Sequence, residues 1–226
     1  AYILRRAFSE LDTMLPVEKD KYVSFEWIGE KNFLGERIVR NGTRTRGANF
    51  TSADAIVLFE RRDKKRQAVL IEWKYTESYG STSLEIAKSG TDRKEIYKHL
   101  FEASDCPIKK DVLPSFDSLF YEPFYQLMRQ QFLANEMEKV HELGADTVSL
   151  LHIAPAHNLD FPKVTSPNLR DLGNSAVDVW KKLVKPKDRF TSVSTEQLFG
   201  DLSVRDLPAL KTWLDYINER YSWVNE

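Results

Sequence analysis

The spacing of apolar residues in the first third of the chain predicts one helix and three strands. Apolar side chains recur at helical spacing in residues 2–15, and Pro16 follows, so we predict a helix that ends there. Residues 60–66, which follow the second of these strands, are all charged, which is typical of a hairpin loop with a basic tip. Short apolar, β-prone runs predict the three strands at 25–28, 53–59 and 70–75. The charged run predicts the loop at 60–66.

The rest of the chain alternates helices and strands. Residues 76–117 are polar and irregular, with a short helix predicted near 93–103. A proline in the first turn, an apolar stripe and Gly144 beyond the end predict a long helix over 123–143. A strand, a helix, a strand and a final helix are predicted at 147–154, 174–183, 190–194 and 208–221. With no internal repeat and no Gly/Ser-rich linker, this order predicts an α/β sandwich around a central sheet, in one domain of residues 1–226.

Charged residues stand at the ends of the two strands that flank the hairpin loop. Asp54 opens the first strand, and Glu72 and Lys74 end the second. Because side chains two apart share one face of a strand, Glu72 and Lys74 point the same way. Antiparallel pairing would bring Asp54 close to both. Charges are rarely buried without partners or a metal, so this strand end is a candidate site.

Two carboxylates and an ammonium are the minimal equipment for metal-dependent phosphodiester hydrolysis. Oxygen ligands of this kind suit Mg²⁺, and Mn²⁺ can substitute for it. In this interpretation Asp54 and Glu72 hold the metal, while Lys74 positions or polarises the attacking water. The alternative is an ordinary solvated ion pair, because this spacing of residues also arises by chance.

The residues Asp54, Glu72 and Lys74 resemble the PD-(D/E)xK signature of the restriction-endonuclease-like nuclease superfamily, with Ala53 in place of its proline. The chain is most similar to a bacterial group of restriction-endonuclease-like proteins of mostly unassigned biology. Three stretches carry that similarity, at 47–54, 71–79 and 122–131.

This resemblance implies an αβββαβ core with a central mixed sheet flanked by helices. It covers about residues 25–200, with a C-terminal helix at about 205–222 outside it. Further chain precedes the matching region in that group, so the N-terminal part is expected to be incomplete. The activity implied is metal-dependent cleavage of DNA, in restriction or defence.

The resemblance also implies supporting residues. Many relatives carry a glutamine or tyrosine on the helix after the ExK strand, beside the metal. We assign that position to Gln126, with Tyr125, Arg129 and Gln130 as lesser candidates and a solvated helix face as the alternative. An additional acid is also common in the superfamily, and the candidates in this chain are Glu77, Glu36 and Glu10.

A net charge of −1 means that contact with nucleic acid must come from local basic clusters. Clusters occur before Asp54, in the hairpin loop and within residues 181–187, and each also fits a solvated surface. The first includes Arg37 and Arg40. The candidate nucleic-acid contacts are Arg44, Arg46, Arg61, Arg62, Arg93 and Arg129.

Composition limits which cellular compartment and which kinds of metal site are expected. No apolar run approaches the roughly 20 residues that span a bilayer, and no signal peptide is visible, so no membrane partner is expected. The single Cys106 and four histidines exclude an intramolecular disulfide and leave no structural zinc site. We therefore expect a cytoplasmic protein. His152, within an apolar strand, is interpreted as a hydrogen-bonded core residue.

The sequence as a whole predicts a Mg²⁺-dependent nuclease acting on DNA, with RNA not excluded as a substrate. A homodimer would allow both strands of a duplex to be cut. Two rivals stay open: a catalytically silent PD-(D/E)xK scaffold that binds nucleic acid or protein, and a structural or regulatory domain. Motifs of serine hydrolases, P-loop enzymes, zinc peptidases and dinucleotide-binding enzymes do not occur.

Overall fold

The computed structural model describes residues 1–36, 44–46 and 50–225. In these residues six strands form one sheet. The strands are β1 (Leu11–Leu15), β2 (Val23–Trp27), β3 (Ala53–Arg61), β4 (Arg66–Trp73), β5 (Thr147–Ala154) and β6 (Phe190–Ser194). The sheet order is β1-β3-β4-β5-β6, and β2 also pairs with β3.

The sheet is mixed. β3 and β4 form an antiparallel hairpin, whereas β4, β5 and β6 are parallel. β1 and β2 share the outer edge of β3, since β1 pairs with its C-terminal half and β2 with its N-terminal half. Parallel pairing requires crossover connections, and helices supply them here.

Helices cover both faces of the sheet. They are α1 (Arg93–Glu102), α2 (Phe124–Lys139), α3 (Ala176–Leu183), α4 (Thr195–Phe199) and α5 (Lys211–Arg220). Polar side chains fix several of their starts: Asp92 accepts from the backbone N–H of Lys94 at α1, and Ser194 forms a capping box with Gln197 at α4. No helix in the described part of the chain is long and apolar enough to cross a membrane.

Two hydrophobic clusters lie on opposite faces of the sheet. Alternate residues of β3 supply both, with Ile56 and Leu58 in the larger cluster and Val57 and Phe59 in the smaller. The larger cluster includes most of the buried face of α2. The central strands are therefore buried on both sides, as expected for strands beside a parallel segment.

The predicted α/β class with a central mixed sheet flanked by helices is confirmed. The strands at 147–154 and 190–194 have the predicted bounds. The short helix near 93–103 is present as α1 and the helix near 174–183 as α3.

The predicted N-terminal helix over residues 2–15 is wrong. A single 3-10 turn (Leu4–Arg6) is followed by strand β1, which pairs with β3. The apolar spacing that suggested a helix instead places Phe8 and Leu11 in the smaller core cluster. Pairing with a strand about fifty residues away overrides the local pattern.

Helix ends also differ from the predictions. α2 stops at Lys139 rather than near residue 143, because His141 and Leu143 adopt left-handed backbone conformations. The last helix begins at Lys211, after a 3-10 turn at Pro208–Leu210. The short α4 was not predicted.

Candidate active site

The hairpin register places Asp54 directly opposite Glu72. Ala55 pairs with Ile71, so one further step along the antiparallel ladder sets Asp54 across from Glu72 on the same sheet face. Asp54 Oδ2 accepts a hydrogen bond from the backbone N–H of Trp73 at 2.8 Å. Neighbouring strand ends thus fix the spacing of the two carboxylates.

Glu72 is buried, with 5% of its surface exposed, and three side chains donate hydrogen bonds to it. Lys74 Nζ lies 2.5 Å from Oε1, and Gln126 Nε2 lies 2.7 Å from the same oxygen. Gln130 Nε2 donates to Oε2 at 2.5 Å and to the carbonyl of Ser52 at 3.2 Å. Charge and geometry together hold this carboxylate in one orientation.

Lys74 is held by its backbone as well as by its ion pair. Its N–H donates to the carbonyl of Ile153 at 2.8 Å, which continues the contact between β4 and β5 beyond Trp73. Only 8% of Lys74 is exposed. The ammonium is therefore placed beside Glu72 by the sheet rather than by a flexible loop.

Burial and neighbouring charges shift the pKa of all three groups. Desolvation raises the pKa of Glu72, and the nearby Asp54 carboxylate adds to the rise, although Lys74 opposes it. The pKa of Asp54 is raised by burial, against the Trp73 N–H and Lys74. Burial alone would lower the pKa of Lys74, but the charge and hydrogen bond of Glu72, with smaller contributions from Tyr79 and Asp54, together raise that pKa. Two desolvated carboxylates this close favour an added cation.

Helix α2 supplies the glutamine pair because Gln126 and Gln130 lie one turn apart and face the sheet. Both the assigned Gln126 and the lesser candidate Gln130 therefore reach Glu72. Tyr125 points elsewhere, with its hydroxyl 3.3 Å from that of Tyr97. The Arg129 guanidinium carbon lies 4.5 Å from the centre of the Tyr125 ring.

The donor set fits a hard divalent cation. No group of three or more His, Cys, Asp or Glu side chains gathers within residues 1–36, 44–46 and 50–225, so a metal here would rest on two carboxylates, with water and substrate oxygens. Three donors occupy Glu72, out of about four acceptor positions on a carboxylate. In the described chain, buried Gln130 Oε1 has no hydrogen-bond partner and could accept from a metal's water.

A family model described as "Restriction Endonuclease associating with ARP" matches residues 3–222. The chain belongs to this restriction-endonuclease family. Comparisons with curated proteins and with solved structures gave no match. The predicted relationship to restriction endonucleases is thereby confirmed at the level of the family.

In this family member, the three suggested additional acids lie in different surroundings. Glu36 is buried and accepts from the Thr51 backbone N–H at 2.7 Å and from the Tyr97 hydroxyl at 2.9 Å. Glu77 accepts from the Tyr75 N–H at 2.6 Å and is close enough to raise the pKa of Asp54. The backbone of Glu10 contacts the hairpin loop, at the opposite end of β3.

The sequence interpretation missed Glu26, another acid near the site of this restriction-endonuclease family member. Its carboxylate accepts from the Ser52 hydroxyl at 2.9 Å and contributes to the raised pKa of Asp54. Glu26 lies on β2, which pairs with the start of β3. The available signal was its position in a predicted strand, but no spacing rule connects it to Asp54.

His152 pairs in register with Glu72 from the neighbouring strand β5. It is buried, its ring stacks on Phe161 with centroids 4.8 Å apart, and its Nδ1 lies 3.3 Å from Ser192 Oγ. Burial and the Lys74 charge lower its pKa to about 4, so it is neutral near pH 7. This agrees with the expected hydrogen-bonded core histidine.

Two of the candidate arginines lie far from the carboxylates. Arg61 and Arg62 follow Asp54 by seven and eight residues, which is about 23 Å or more along an extended strand. Arg61 Nε pairs with Asp63 at 3.4 Å. The structure therefore does not bring the hairpin arginines to the candidate site.

The remaining arginines serve local contacts. Arg44 donates to the carbonyls of Ile28 and Gly29, and Arg46 donates to Ser24 and pairs with Glu18 at 2.7 Å. Arg93 donates to the Leu84 carbonyl, with its guanidinium carbon 5.4 Å from the Tyr125 ring centre. The Arg93 charge opposes the burial-raised pKa of Glu122, whose carboxylate accepts from the Gln126 backbone N–H at 3.3 Å. Arg37 and Arg40 lie outside the described residues.

Proposed function

We propose that this chain is a metal-dependent nuclease that hydrolyses phosphodiester bonds in DNA, with a role in restriction or defence. Asp54 and Glu72 would hold Mg²⁺, for which Mn²⁺ would substitute, and Lys74 would position the attacking water. The observation that carries the proposal is the buried Glu72 carboxylate opposite Asp54 and 2.5 Å from the Lys74 ammonium. Membership of a restriction-endonuclease family supports the same chemistry.

The carboxylates have distinct tasks in this proposal. Asp54 Oδ2 is held by the Trp73 N–H, which leaves Oδ1 for a ligand. Glu72 is oriented by the two glutamines of α2 and has one acceptor position left. Mg²⁺, when bound, would neutralise phosphate charge and make water more acidic.

Lys74 acts as a hydrogen-bond donor and electrostatic stabiliser rather than as a base. Its pKa is raised by Glu72, so the side chain stays protonated at neutral pH. The ammonium can donate to the attacking water or to a phosphate oxygen, where negative charge develops in the transition state. Gln126 and Gln130 contribute by keeping Glu72 in place, as outer partners of metal ligands commonly do.

The test is cleavage of several nucleic acids. Plasmid, linear duplex, single-stranded DNA and RNA are each incubated with the protein in Mg²⁺, Mn²⁺ or chelator. The expected result is DNA cleavage that chelator abolishes and that Glu72→Gln and Lys74→Ala remove. Cleavage of RNA alone would mean that RNA, and not DNA, is the substrate. Paired cuts on both strands of a duplex would indicate a two-fold dimer.

The same hairpin offers a matched control. Glu60 and Lys64 form an ion pair of 2.8 Å at the loop, far from Asp54. Glu60→Gln and Lys64→Ala change the same kinds of charge and should leave cleavage unaltered. Tight binding of nucleic acid without cleavage by the unmodified protein would overturn the nuclease proposal in favour of a binding scaffold.

A further inference from the structure

An aromatic pocket of about 520 Å³ lies on the face of β4 opposite to Glu72 and Lys74. Seven of its ten lining residues are aromatic, and three of them are among the five tryptophans of the chain. Trp73, which stands between the two candidate site residues, forms one wall. The pocket and the carboxylate site therefore share a strand and differ only in the face that they use.

The rings around the pocket form flat walls that are accessible to solvent. Trp73 stacks on Phe199 with centroids 5.1 Å apart and an angle of 14° between the rings. Tyr75 meets Tyr221 edge-on at 6.2 Å and Trp223 at 6.0 Å. Trp73 is 43% exposed and Tyr75 46%, although such side chains usually contribute to a core. A planar ring could slide against these walls without displacing a packed side chain.

One edge of the pocket carries a positive charge. The Arg220 guanidinium carbon lies 5.6 Å from the centre of the Tyr221 ring, at the end of α5. The Arg220 Nε also donates to the Tyr221 hydroxyl at 3.4 Å, which holds the cation at the edge of the aromatic walls. Flat aromatic walls with a cation at their edge match a heteroaromatic base attached to a phosphate, and match an aliphatic side chain less well.

We infer that this pocket binds an unpaired nucleobase of the substrate strand, which passes around the end of β4 from the phosphodiester held at Asp54, Glu72 and Lys74 on the other face. The inference rests on the proposed nuclease function and narrows it. The preferred substrate is a strand with an unpaired nucleotide near the bond that is cut. Stacking is sequence-tolerant, because every base has a flat aromatic face. The pocket thus selects the pairing state of the strand and not its sequence.

The test measures base stacking without cleavage. A short single-stranded DNA containing one 2-aminopurine is titrated, in Mg²⁺, with the Lys74→Ala protein, and quenching of the 2-aminopurine reports stacking. We expect quenching, with affinity about tenfold weaker when Trp223→Ala or Tyr216→Ala is added. Trp223→Phe keeps a flat ring and should restore most of the affinity. Val140→Ala, which removes an exposed apolar side chain just beyond α2 and away from the pocket, is the control and should change nothing.

The outcomes separate this inference from the nuclease proposal. If the unmodified protein cuts no nucleic acid but quenching depends on the pocket residues, the base pocket is supported and the nuclease proposal is overturned. Cleavage by the unmodified protein, with identical oligonucleotide affinity in all pocket variants, overturns the base pocket alone. Binding of a hydrophobic dye in the pocket without any binding of the oligonucleotide also overturns it, in favour of an apolar partner. Melting curves of each variant show that the fold is intact.

Discussion

The two ends of the β3–β4 hairpin carry similar charges in opposite surroundings. The site end holds Asp54, Glu72 and Lys74, and helix α2 covers it. The loop end, residues 60–66, is charged at every position and open to solvent, with the Lys64–Glu60 pair on its surface. An acid and a lysine lie within 2.8 Å of each other at both ends. Only at the site end are the charges desolvated.

That difference decides which end can do chemistry. An exposed ion pair is screened by water and contributes little, whereas a buried carboxylate has a raised pKa and an unmet demand for positive charge. A carboxylate of this kind is prepared to bind a cation. The pairing of an acid with a lysine makes both ends of the hairpin candidate sites. Burial under helix α2 distinguishes the site end from the loop end.

The largest expected effect is the loss of cleavage on removing a charge at the site end. Glu72→Gln should lower the initial rate of plasmid cleavage by about 10³-fold, because it removes a metal ligand and weakens the hold on Lys74. Rates are measured at saturating Mg²⁺. Equal rates in Glu72→Gln and Glu60→Gln would erase the distinction between the two ends.

The placement of Asp54 opposite Glu72 was accessible from sequence for a simple physical reason. In an antiparallel pair joined by a short charged loop, residues equidistant from the loop must meet, so Asp54 and Glu72 follow from counting. Strand β5 was equally accessible because its apolar run is nearly continuous and ends at Pro155. Counting residues did not reveal which charges are buried, because their burial depends on helix α2, about fifty residues further along the chain.

Contacts between residues far apart in the sequence limited the other predictions. The spacing of Leu4, Phe8 and Leu11 fits a helix, but strand β1 forms because β3 offers it an edge. Likewise, a resemblance suggested a glutamine on α2, yet only packing shows that both Gln126 and Gln130 reach Glu72. The aromatic pocket was not predicted at all, because Trp73 and Trp223 lie 150 residues apart.

The second largest effect concerns the two glutamines of helix α2 that contact Glu72 at the site end. Gln126→Ala and Gln130→Ala should each weaken Mg²⁺ activation about 10- to 100-fold, since the outer partners of metal ligands typically have that influence. The measurement is the Mg²⁺ concentration for half-maximal cleavage. Asn135→Ala, which removes an amide side chain further along α2, is the control. Unchanged activation in both glutamine variants would show that Glu72 needs no support from the helix.

A third effect is a pH-dependent stabilisation by metal. The folded-state pKa values of Asp54 and Glu72 lie above their unfolded values, so these groups favour the folded state at low pH. That contribution is lost as pH rises through the raised pKa values, and a bound cation would restore it. Mg²⁺ should therefore raise Tm at pH 8, by about 5–10 °C at a hundredfold excess over its Kd, and by much less at pH 5.

Differential scanning fluorimetry at both pH values measures this shift, with the double variant Asp54→Asn, Glu72→Gln as the control. The control should show no Mg²⁺-dependent shift at either pH. An equal shift at pH 5 and pH 8 would mean that the cation binds elsewhere than at these two carboxylates.

The smallest expected effect lies at the loop end. Lys64 is exposed and pairs with both Glu60 and Asp12, and these partners raise its pKa. Lys64→Ala should nevertheless leave Tm unchanged within error, because water and salt already screen such pairs. Melting curves at low and high salt would reveal any hidden contribution. A salt-sensitive loss of Tm would show that the surface pairs stabilise the hairpin, and burial would then no longer separate its two ends.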